Sequence, residues 1–322
     1  MPHFGRIVTS TEEKITREGA KKSRLVKKGD LILSNSMSYG LPYIMGIDGY
    51  IHDGWFVLKD FEDTFDKDYL CNLLISSAIQ NQYKRLAAGG VVQNISSDLV
   101  NSVSVSIPLM EEQKKISSLL NLIDDRIATQ NKIIDNLQSL IRGIRNEVFG
   151  KLRKTVGFNA IIGDVLSYEQ PQSYIVEDTE YTNEGTPVLT ANKAFVLGYT
   201  SETDGVYDKG DCIIFDDFTL DCKYVDFSFK VKSSAIKILT AKNKELLRYT
   251  FEFLKHLDLS TDEHKRHYIA ETQNQSFILP NAEMIEIIAH TFSALSLQMQ
   301  YAIKQRNKHE EQKLYLLRQM FI

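Results

Sequence analysis

Residues 107–149, with the sequence IPLMEEQKKISSLLNLIDDRIATQNKIIDNLQSLIRGIRNEVF, form one uninterrupted stretch with a helical hydrophobic pattern. One set of positions recurs in alternating steps of four and three residues, which is the spacing of a coiled-coil seam. These positions are Ile116, Leu120, Ile123, Ile127, Gln130, Ile134, Leu137, Ile141, Ile144 and Val148. At about 1.5 Å per residue, such a helix would be roughly 60 Å long. The pattern therefore predicts a long spacer helix that requires a partner helix.

Both ends of this helix carry sequence signals. Pro108 suits the first helical turn, where its missing amide hydrogen costs nothing. Glu111 and Glu112 lie near the positive end of the helix dipole, and Gly150 is a residue type that commonly ends a helix. We therefore predict that the first long helix spans residues 108–150.

The partner helix is predicted in the same chain, from about Asn281 to the C-terminus. A shift of 172 residues aligns Pro108 with Pro280 and Phe149 with Phe321 without a gap. The first half of the second copy continues the seam through Ile285, Ile288, Phe292, Leu295, Met299 and Ala302.

The second half of this helix has charged residues in the seam. Arg306, His309 and Lys313 occupy the positions that hold aliphatic residues in the first copy. Three explanations are open. This half of the helix is more hydrated, its seam shifts register through Ile303, Leu314 and Leu317, or it packs against another subunit.

Composition places the chain among two-domain proteins. It has 322 residues, of which 43% are hydrophobic, enough for two cores. The sequence shows no membrane-length apolar run and no secretory signal, so a cytoplasmic protein without membrane contact is expected. Cys71, Cys212 and Cys222 are odd in number and lack paired spacing, which indicates small core residues. The net charge of −4 weakens a nucleic-acid-binding interpretation without excluding it, because residues 14–28 are locally basic.

A globular unit is also repeated. A Lys-Gly-Asp turn at residues 28–30 precedes the apolar strand 31–34, and a second at 209–211, 181 residues later, precedes the strand 212–215. Amphipathic helices are predicted over 68–86 and 244–257. Before the long helices, we predict a strand at 103–107 and another that ends at Ile278-Leu279. The second unit has about fifty residues from Val156 before its turn, whereas the first has 27. We expect the first unit to be incomplete unless strands are supplied from elsewhere.

This arrangement resembles the specificity subunit of type I restriction-modification enzymes. The resemblance rests on Ile-Pro-Leu-Met-Glu-Glu-Gln-Lys-Lys-Ile at 107–116, Gly-Val-Val-Gln-Asn-Ile at 90–95, Ile-Gly-Asp-Val at 162–165 and the second Lys-Gly-Asp with its strand. It covers nearly the whole chain. The second helix start departs from the pattern, since it keeps Pro280 but has no glutamine at the matching place.

The resemblance implies an α+β fold. Two globular domains of the target-recognition type would be joined and spaced by two long helices, which form an antiparallel intramolecular coiled coil. The corresponding boundaries are a first recognition domain at 1–107, a first spacer helix at 108–150, a second recognition domain at 151–279 and a second spacer helix at 280–322.

The resemblance also implies a function. Such a subunit is non-catalytic and holds no cofactor; it reads a bipartite site on double-stranded DNA and docks modification subunits, two in number, through which restriction subunits join the complex. S-adenosylmethionine would belong to the modification subunits. The alternative is a structural coiled-coil interaction protein, or a decayed specificity subunit that no longer reads DNA. Salt-dependent, sequence-selective binding would separate these functions.

Candidate DNA-binding residues follow from their chemistry. Basic residues would contact phosphates and set register, while amides and hydroxyls in loops would reach base edges. The phosphate candidates are Arg24, Lys27, Lys84, Arg85, Lys223, Lys265 and Arg266. The base-reading candidates are Asn35, Ser36, Ser38, Tyr39, Asn192 and Lys193.

Catalytic or metal-binding interpretations of other clusters are weaker. Asp216, Asp217 and the Asp221-Cys222-Lys223 triplet have a composition found in metal-dependent nucleases, but a strand end followed by a turn explains them better. His264 and His267 lack a third metal ligand nearby in the sequence, which favours a polar loop. Gly89-Gly90 is interpreted as a turn, since no phosphate-binding motif surrounds it.

Overall fold

The structure is a computed structural model that describes residues 7–35, 40–87, 95–190, 195–261 and 267–321. The chain divides into two compact units. Unit 1 comprises Met1–Ile134 and Tyr301–Ile322, and unit 2 comprises Asp135–Gln300. Each unit therefore contains one part of each long helix together with its own sheets and short helices. The mixture of helices and strands confirms the α+β class.

The first part of the chain is rich in short strands and ends in a long helix. Its elements are β1 (Ile7–Val8), α1 (Arg17–Lys21), β2 (Arg24–Val26), β3 (Leu31–Ser34), β4 (Pro42–Met45), β5 (Gly49–Ile51), β6 (Trp55–Leu58), α2 (Lys67–Ile75), α3 (Ser77–Ala87), α4 (Ser97–Ser102) and α5 (Met110–Thr155).

The second part has more strands and ends in the other long helix. Its elements are β7 (Ala160–Ile161), α6 (Ile162–Val165), β8 (Leu166–Glu169), β9 (Thr186–Leu189), β10 (Val196–Thr200), β11 (Cys212–Asp216), β12 (Cys222–Val225), β13 (Lys230–Val231), β14 (Ile236–Ala241), α7 (Lys244–Leu257), β15 (Ser276–Phe277) and α8 (Ala282–Met320).

The seam predicted along α5 is confirmed, since all ten of its positions are buried or half-buried. In unit 1, Ile116 and Leu120 pack in one apolar cluster with Leu317 and Phe321 of the α8 end. In unit 2, the other part of α5 packs against α8 through Ile141, Ile144, Val148, Ile285, Ile288 and Phe292. In unit 1, residues later in α8 contact residues earlier in α5, so the two helices are antiparallel there.

The ends of α5 differ from the prediction. The helix begins at Met110, two residues after Pro108, and continues five residues past Gly150. The residue that ends it is Gly157, which adopts a left-handed φ of 75° and donates its amide to the Leu152 carbonyl at 3.1 Å. A left-handed residue just after a helix favours glycine because no Cβ is strained there. Gly150 lies inside the helix, where its neighbours continue the seam.

The charged half of α8 has half-buried polar residues at the seam positions. Arg306, His309 and Lys313 are half-buried, whereas Leu314 is 55% exposed. The Lys313 ammonium forms an ion pair with Asp124 of α5. Arg306 lies 3.7 Å from Glu310, one turn further along α8. Of the residues of the shifted register, Leu314 is exposed, whereas Ile303 is half-buried and Leu317 is buried. The structure therefore does not decide between the polar seam and the shifted register.

The repeated globular unit is visible in the strand pairing. In unit 1, β3 lies between β4 and β6, and in unit 2, β11 lies between β12 and β14, with every pair antiparallel. The glycine of each Lys-Gly-Asp turn has the same left-handed backbone, with φ of 96° at Gly29 and 94° at Gly210. An L side chain rarely adopts this conformation, which explains glycine in both copies.

Two predicted elements take another form. The expected helix over 68–86 is interrupted at Ser76, which has an extended ψ of 152° and ends α2 before α3 begins. The Ser76 hydroxyl accepts the Ile79 amide at 3.5 Å, so serine begins a new helix in place of continuing the first. Residues 103–107 form no strand, although their alternation predicts one. By contrast, α7 has the predicted bounds.

Each unit has its own apolar core. Unit 1 packs β3, α2 and α3 against the ends of the long helices, with Phe321 tilted against Tyr69 at a centroid distance of 5.1 Å. Unit 2 packs α7 on its sheet, and Phe149 of α5 contacts both Tyr249 and Phe253. All three cysteines are buried, as predicted, and burial raises the pKa of the Cys222 thiol to about 12. None of the described helices is long and apolar enough to cross a membrane.

Candidate nucleic-acid interface

The Lys-Gly-Asp turn of unit 1 presents basic side chains to solvent. Asp30 accepts the Lys27 amide at 2.9 Å, and the Asp30 amide donates back to the Lys27 carbonyl at 3.0 Å. The Lys28 amide donates to Asp48 at 2.8 Å. These bonds use the backbone of the turn and leave the side chains of Lys27 and Lys28 exposed. Arg24, just upstream in β2, is also exposed, so the predicted phosphate contacts Arg24 and Lys27 lie on one short segment.

Asn35 occupies the point where several loops of unit 1 meet. Its side-chain amide donates to the Asp53 carbonyl at 2.7 Å, and its backbone amide donates to the Gly54 carbonyl at 3.0 Å. Its own carbonyl accepts the Ile95 amide at 2.8 Å. Asn35 therefore joins the end of β3 to the turn before β6 and to residue 95. Base reading by Asn35 stays a prediction. In the structure, its hydrogen bonds hold these chain segments together.

A close contact connects this loop region to the end of α3. Gly40 has a left-handed φ of 59°, and a Cβ placed there would lie 2.6 Å from Cε2 of Tyr83. Only glycine allows the loop to approach the fully buried Tyr83 ring, whose pKa burial raises to about 12. Lys84 and Arg85 follow Tyr83 directly in α3 and are both exposed. These two predicted phosphate contacts therefore directly follow the residue that Gly40 approaches.

In unit 2, the described basic candidate is Lys223 on β12. It is exposed and lies 3.2 Å from Asp221, whose other oxygen accepts from Lys255 at 2.9 Å. Burial raises the pKa of Asp221, but the hydrogen bond from Lys255 and the charges of both lysines lower it more, so the pKa is lowered overall. An exposed ion pair of this kind is weak. Lys223 can exchange this partner for a phosphate at little cost.

Several predicted contacts lie outside the described residues. They are Ser36, Ser38 and Tyr39 in unit 1, and Asn192, Lys193, Lys265 and Arg266 in unit 2, together with His264 and the Gly89-Gly90 pair. Their chain positions can still be related to described neighbours. Residues 36–39 are bounded by Asn35 and Gly40, and residues 262–266 precede His267.

The two aspartates at the end of β11 have structural partners. Asp216 accepts the amides of Phe218 and Thr219 and the Thr219 hydroxyl, which forms the turn after the strand. Asp217 is 1% exposed and accepts the amides of His267 and Tyr268 at 3.0 and 2.8 Å. The strand-end interpretation is therefore confirmed. Within the described ranges, no group of three His, Cys, Asp or Glu residues could hold a metal ion.

Sequence reasoning missed the buried lysine that faces Asp217. Lys237 of β14 is 1% exposed, lies 3.4 Å from the Asp217 carboxylate and donates to Gln170 at 3.0 Å. The ammonium also lies 5.9 Å from the centre of the Tyr168 ring. This group includes Asp217, whose carboxylate holds the backbone of His267 and Tyr268. The only sequence signal is a single lysine in an otherwise apolar strand.

Exposed apolar side chains lie on the long helices. In unit 1, Leu314 and Tyr315 of α8 are 55% and 62% exposed, and in unit 2, Ile287 and Leu297 are 54% and 67% exposed. A cleft of about 300 Å³ in unit 2 is lined by residues of α5 and α8, including Val148, Leu152 and Ile288. Exposed apolar surface on a helix favours contact with another protein.

Comparison with known proteins identifies the first half of the chain. Residues 4–139 match the family described as the type I restriction modification DNA specificity domain. A type I restriction enzyme specificity subunit of Escherichia coli is 38% identical over 165 residues, which cover 46% of this chain and 41% of that protein. The HindI specificity subunit of Haemophilus influenzae is 26% identical over 48% of this chain and 34% of its own length. The chain thus matches less than half of the length of these relatives.

Solved structures show the same fold over most of the chain. An S subunit of a type I restriction-modification system from M. genitalium has a TM-score of 0.62 at 15% identity, covering 94% of this chain and 85% of that one. A chain from a study of assembly in a type I restriction-modification system has a TM-score of 0.51 at 14% identity, covering 91% and 82%. Residues 4–139 therefore match the type I restriction modification DNA specificity domain family, and the chain is similar to specificity subunits of type I restriction enzymes.

Proposed function

We propose that this chain is the non-catalytic DNA-recognition and scaffold subunit of a type I restriction-modification complex. The observation that carries the proposal is the match of residues 4–139 to the DNA specificity domain family. The strand arrangement of unit 1 recurs in unit 2, around β11 and its own Lys-Gly-Asp turn. A repeated domain supports two readers, each of which recognises one part of a bipartite DNA site.

Recognition by unit 1 would use two kinds of contact. The exposed cations of Arg24, Lys27, Lys84 and Arg85 would bind phosphates, which supplies affinity and register but no sequence information. Sequence would be read by the loop that begins after Asn35, through the amide and hydroxyl groups predicted there. The hydrogen bonds of Asn35 support this role because they fix the base of the loop against two other segments.

The scaffold role would use the long helices. Exposed apolar side chains on α8, among them Ile287 and Tyr315, offer surface that another protein can bury. We propose that this surface docks modification subunits, two per chain, and that restriction subunits join through them. The chemistry of methyl transfer and cleavage would reside in those subunits, and this chain would hold no cofactor.

The proposal is tested by selecting DNA with the purified complex of this chain and its modification subunits. Random-sequence duplexes bound at increasing salt should enrich a sequence with two separated conserved parts. Double substitution of Lys84→Ala and Arg85→Ala should weaken binding to all sequences alike and reduce the salt slope by about 1 for each phosphate that is no longer bound. The matched control is Lys114→Ala with Lys115→Ala, since these lysines are equally exposed in unit 1 but lie on α5.

Two results would overturn the proposal. One is an intact complex that binds all sequences equally, which would favour a structural role for the chain. The other is an enriched sequence whose affinity does not change with salt, because phosphate contacts release counterions on binding.

A further inference from the structure

The strands β2 and β5 form a separate two-stranded ribbon in unit 1. They pair antiparallel, in the register Arg24–Ile51, Leu25–Tyr50 and Val26–Gly49. Residues directly opposite each other in such a pair point to the same face of the ribbon, and the next pair points to the other face. Val26 and Ile51 are 0% and 8% exposed and lie in an apolar cluster with Ile32 of β3. One face of the ribbon is therefore packed on unit 1, and the other faces solvent.

The solvent face of the ribbon carries an apolar pair. Leu25 and Tyr50 lie directly opposite each other and are 52% and 47% exposed. A single exposed apolar side chain is common, but two that are paired across strands form one continuous patch. The Tyr50 side chain adds a flat aromatic ring and a hydroxyl that can hydrogen-bond. This pair thus offers both apolar and polar contacts to a ligand.

Exposed cations flank Leu25 in the chain. Residues 12–28 contain seven exposed cations and three exposed acids. The cations are Lys14, Arg17, Lys21, Lys22, Arg24, Lys27 and Lys28. Asp30 and Asp48 accept the backbone amides of Lys27 and Lys28, so these carboxylates hold the backbone of the turn. The excess of cations favours an anionic ligand for this face.

The end of β5 is connected to Asn35 by hydrogen bonds. His52 directly follows β5, and its Nδ1 accepts the Gly54 amide at 2.9 Å, which places the proton of a neutral ring on Nε2. The Gly54 carbonyl accepts the backbone amide of Asn35 at 3.0 Å, and the Asp53 carbonyl accepts its side-chain amide at 2.7 Å. The ribbon and Asn35, for which base reading is predicted, therefore lie side by side in unit 1.

A two-stranded ribbon has the width of a DNA groove. Its strands lie about 4.8 Å apart, and the major groove, which is about 12 Å wide, admits such a ribbon. Phosphates border the groove and attract cations, while the floor of the groove carries base edges and the C5 methyl group of thymine, which apolar side chains contact. Double-stranded DNA is therefore an anionic ligand that matches the shape, the charge and the apolar pair of this ribbon.

We propose that the β2–β5 ribbon enters the major groove of double-stranded DNA, where Leu25 and Tyr50 contact base edges and Arg24 and Lys27 contact the flanking phosphates. Leu25 and Tyr50 are then specificity-determining residues, in addition to the amides and hydroxyls predicted after Asn35. The inference rests on the proposed function of the chain. It goes further because it assigns the reading of one half of the site to a particular element and to apolar contacts.

The test repeats the selection from random-sequence duplexes with the complex of this chain and its modification subunits. The double variant Leu25→Thr with Tyr50→Thr keeps residue types that favour strands. It should discriminate normally in one half of the split sequence and about tenfold less in the other half, which is the cost of about one mismatched base pair. The salt slope should not change, because the cations that bind phosphates remain.

Two further variants serve as controls. Tyr50→Phe keeps the aromatic ring and should discriminate as the unsubstituted complex does. Tyr199→Thr replaces a tyrosine of β10 in unit 2 that is 36% exposed, and it should leave the half that depends on Tyr50 unchanged. If unit 1 of the double variant unfolds at a lower urea concentration, Tyr50→Thr alone is used for the same comparison.

Three outcomes would overturn the inference. Unchanged discrimination in both halves would remove the ribbon from base reading and leave the proposed function standing. An equal loss of affinity for all sequences, with a smaller salt slope, would assign the pair a structural role. Unchanged DNA selection with lost binding to phosphatidylserine vesicles would assign this face to a membrane surface. A complex that selects no sequence before any substitution would overturn the proposed function itself and this inference with it.

Discussion

Gln113 shows what a single residue contributes to this fold. It is 1% exposed, and its side-chain amide donates to the carbonyls of Thr64 and Pro108, each at 3.0 Å, while its oxygen accepts the Asp66 amide at 2.9 Å. Asp66 in turn caps α2 by accepting the Tyr69 amide. The glutamine of the Ile-Pro-x-x-x-x-Gln motif therefore joins the start of α5 to the start of α2. In the second copy, which has no such glutamine, Asn159 holds the segment before α8.

We predict that Gln113→Leu destabilises unit 1. The substitution removes the hydrogen-bond partner of the Asp66 amide and of the Thr64 and Pro108 carbonyls, and each lost bond contributes about 0.5–1.5 kcal/mol. Trp55 is the only tryptophan of the sequence and lies in unit 1, so its fluorescence during urea unfolding reports this unit. The control is Gln312→Leu, at an exposed position of α8 in unit 1. An unchanged midpoint for Gln113→Leu would show that the motif glutamine has no structural role.

Residue roles are the hardest to predict from sequence. Arg24, Lys27, Lys84 and Arg85 are expected to be exposed because they are cations in polar segments, and they are. Asn35 resembles a base-reading residue in sequence, but its amide bonds to Asp53, 18 residues away. No local pattern indicates the Lys237–Asp217 pair either. Partners that are distant in the chain leave no periodic signal between them.

At the scale of elements, α8 shows how a seam accommodates charge. Lys313 occupies a half-buried seam position, and its ammonium reaches Asp124 across the helix pair. Replacing a partly buried ion pair by apolar residues is often neutral or stabilising, whereas removing one partner destabilises because the other charge is left uncompensated. The charged residues are therefore compatible with intramolecular helix packing.

A double-mutant cycle tests this packing. Lys313→Leu should lower the stability of unit 1 by about 1–2 kcal/mol, because a charged hydrogen bond is removed. Adding Asp124→Leu should restore much of that stability, as measured by the urea midpoint of Trp55 fluorescence. The exposed pair Glu111 and Lys114, 4.0 Å apart on α5, is the control and should show no coupling. Additive effects of Lys313→Leu and Asp124→Leu would mean that the two residues do not interact across the helices.

Elements with a long or strict period are predicted well. The seam of α5, the whole of α7 and the strands after both Lys-Gly-Asp turns follow from spacing alone. The elements that the sequence predicts wrongly share one cause. Whether they form depends on a neighbouring strand or on a capping residue, and the periodic pattern contains neither. Residues 103–107 alternate like a strand but lack a neighbouring strand, and Ser76 interrupts a helical pattern by bonding to the backbone. The end of α5 depends on the left-handed backbone conformation of Gly157, whereas Gly150 lies inside the helix.

At the scale of the whole molecule, the two units share one plan in the strands around β3 and β11. Both have a three-stranded arrangement around a strand that follows a left-handed glycine, and both include parts of the same two helices. The sequence repeat predicts this plan. In the proposed function, specific recognition by each unit would depend on loops that the repeat does not align, because loops tolerate more sequence variation than the elements they connect.

The most direct measurement is a map of methylated adenines in host DNA after co-expression of this chain with its modification subunit, obtained by single-molecule sequencing. The proposed function predicts one split motif with two different halves, because two different units read it. A single half-site or its palindromic repeat would contradict reading by both units. An intact complex that leaves no methylated motif would contradict DNA recognition by this chain.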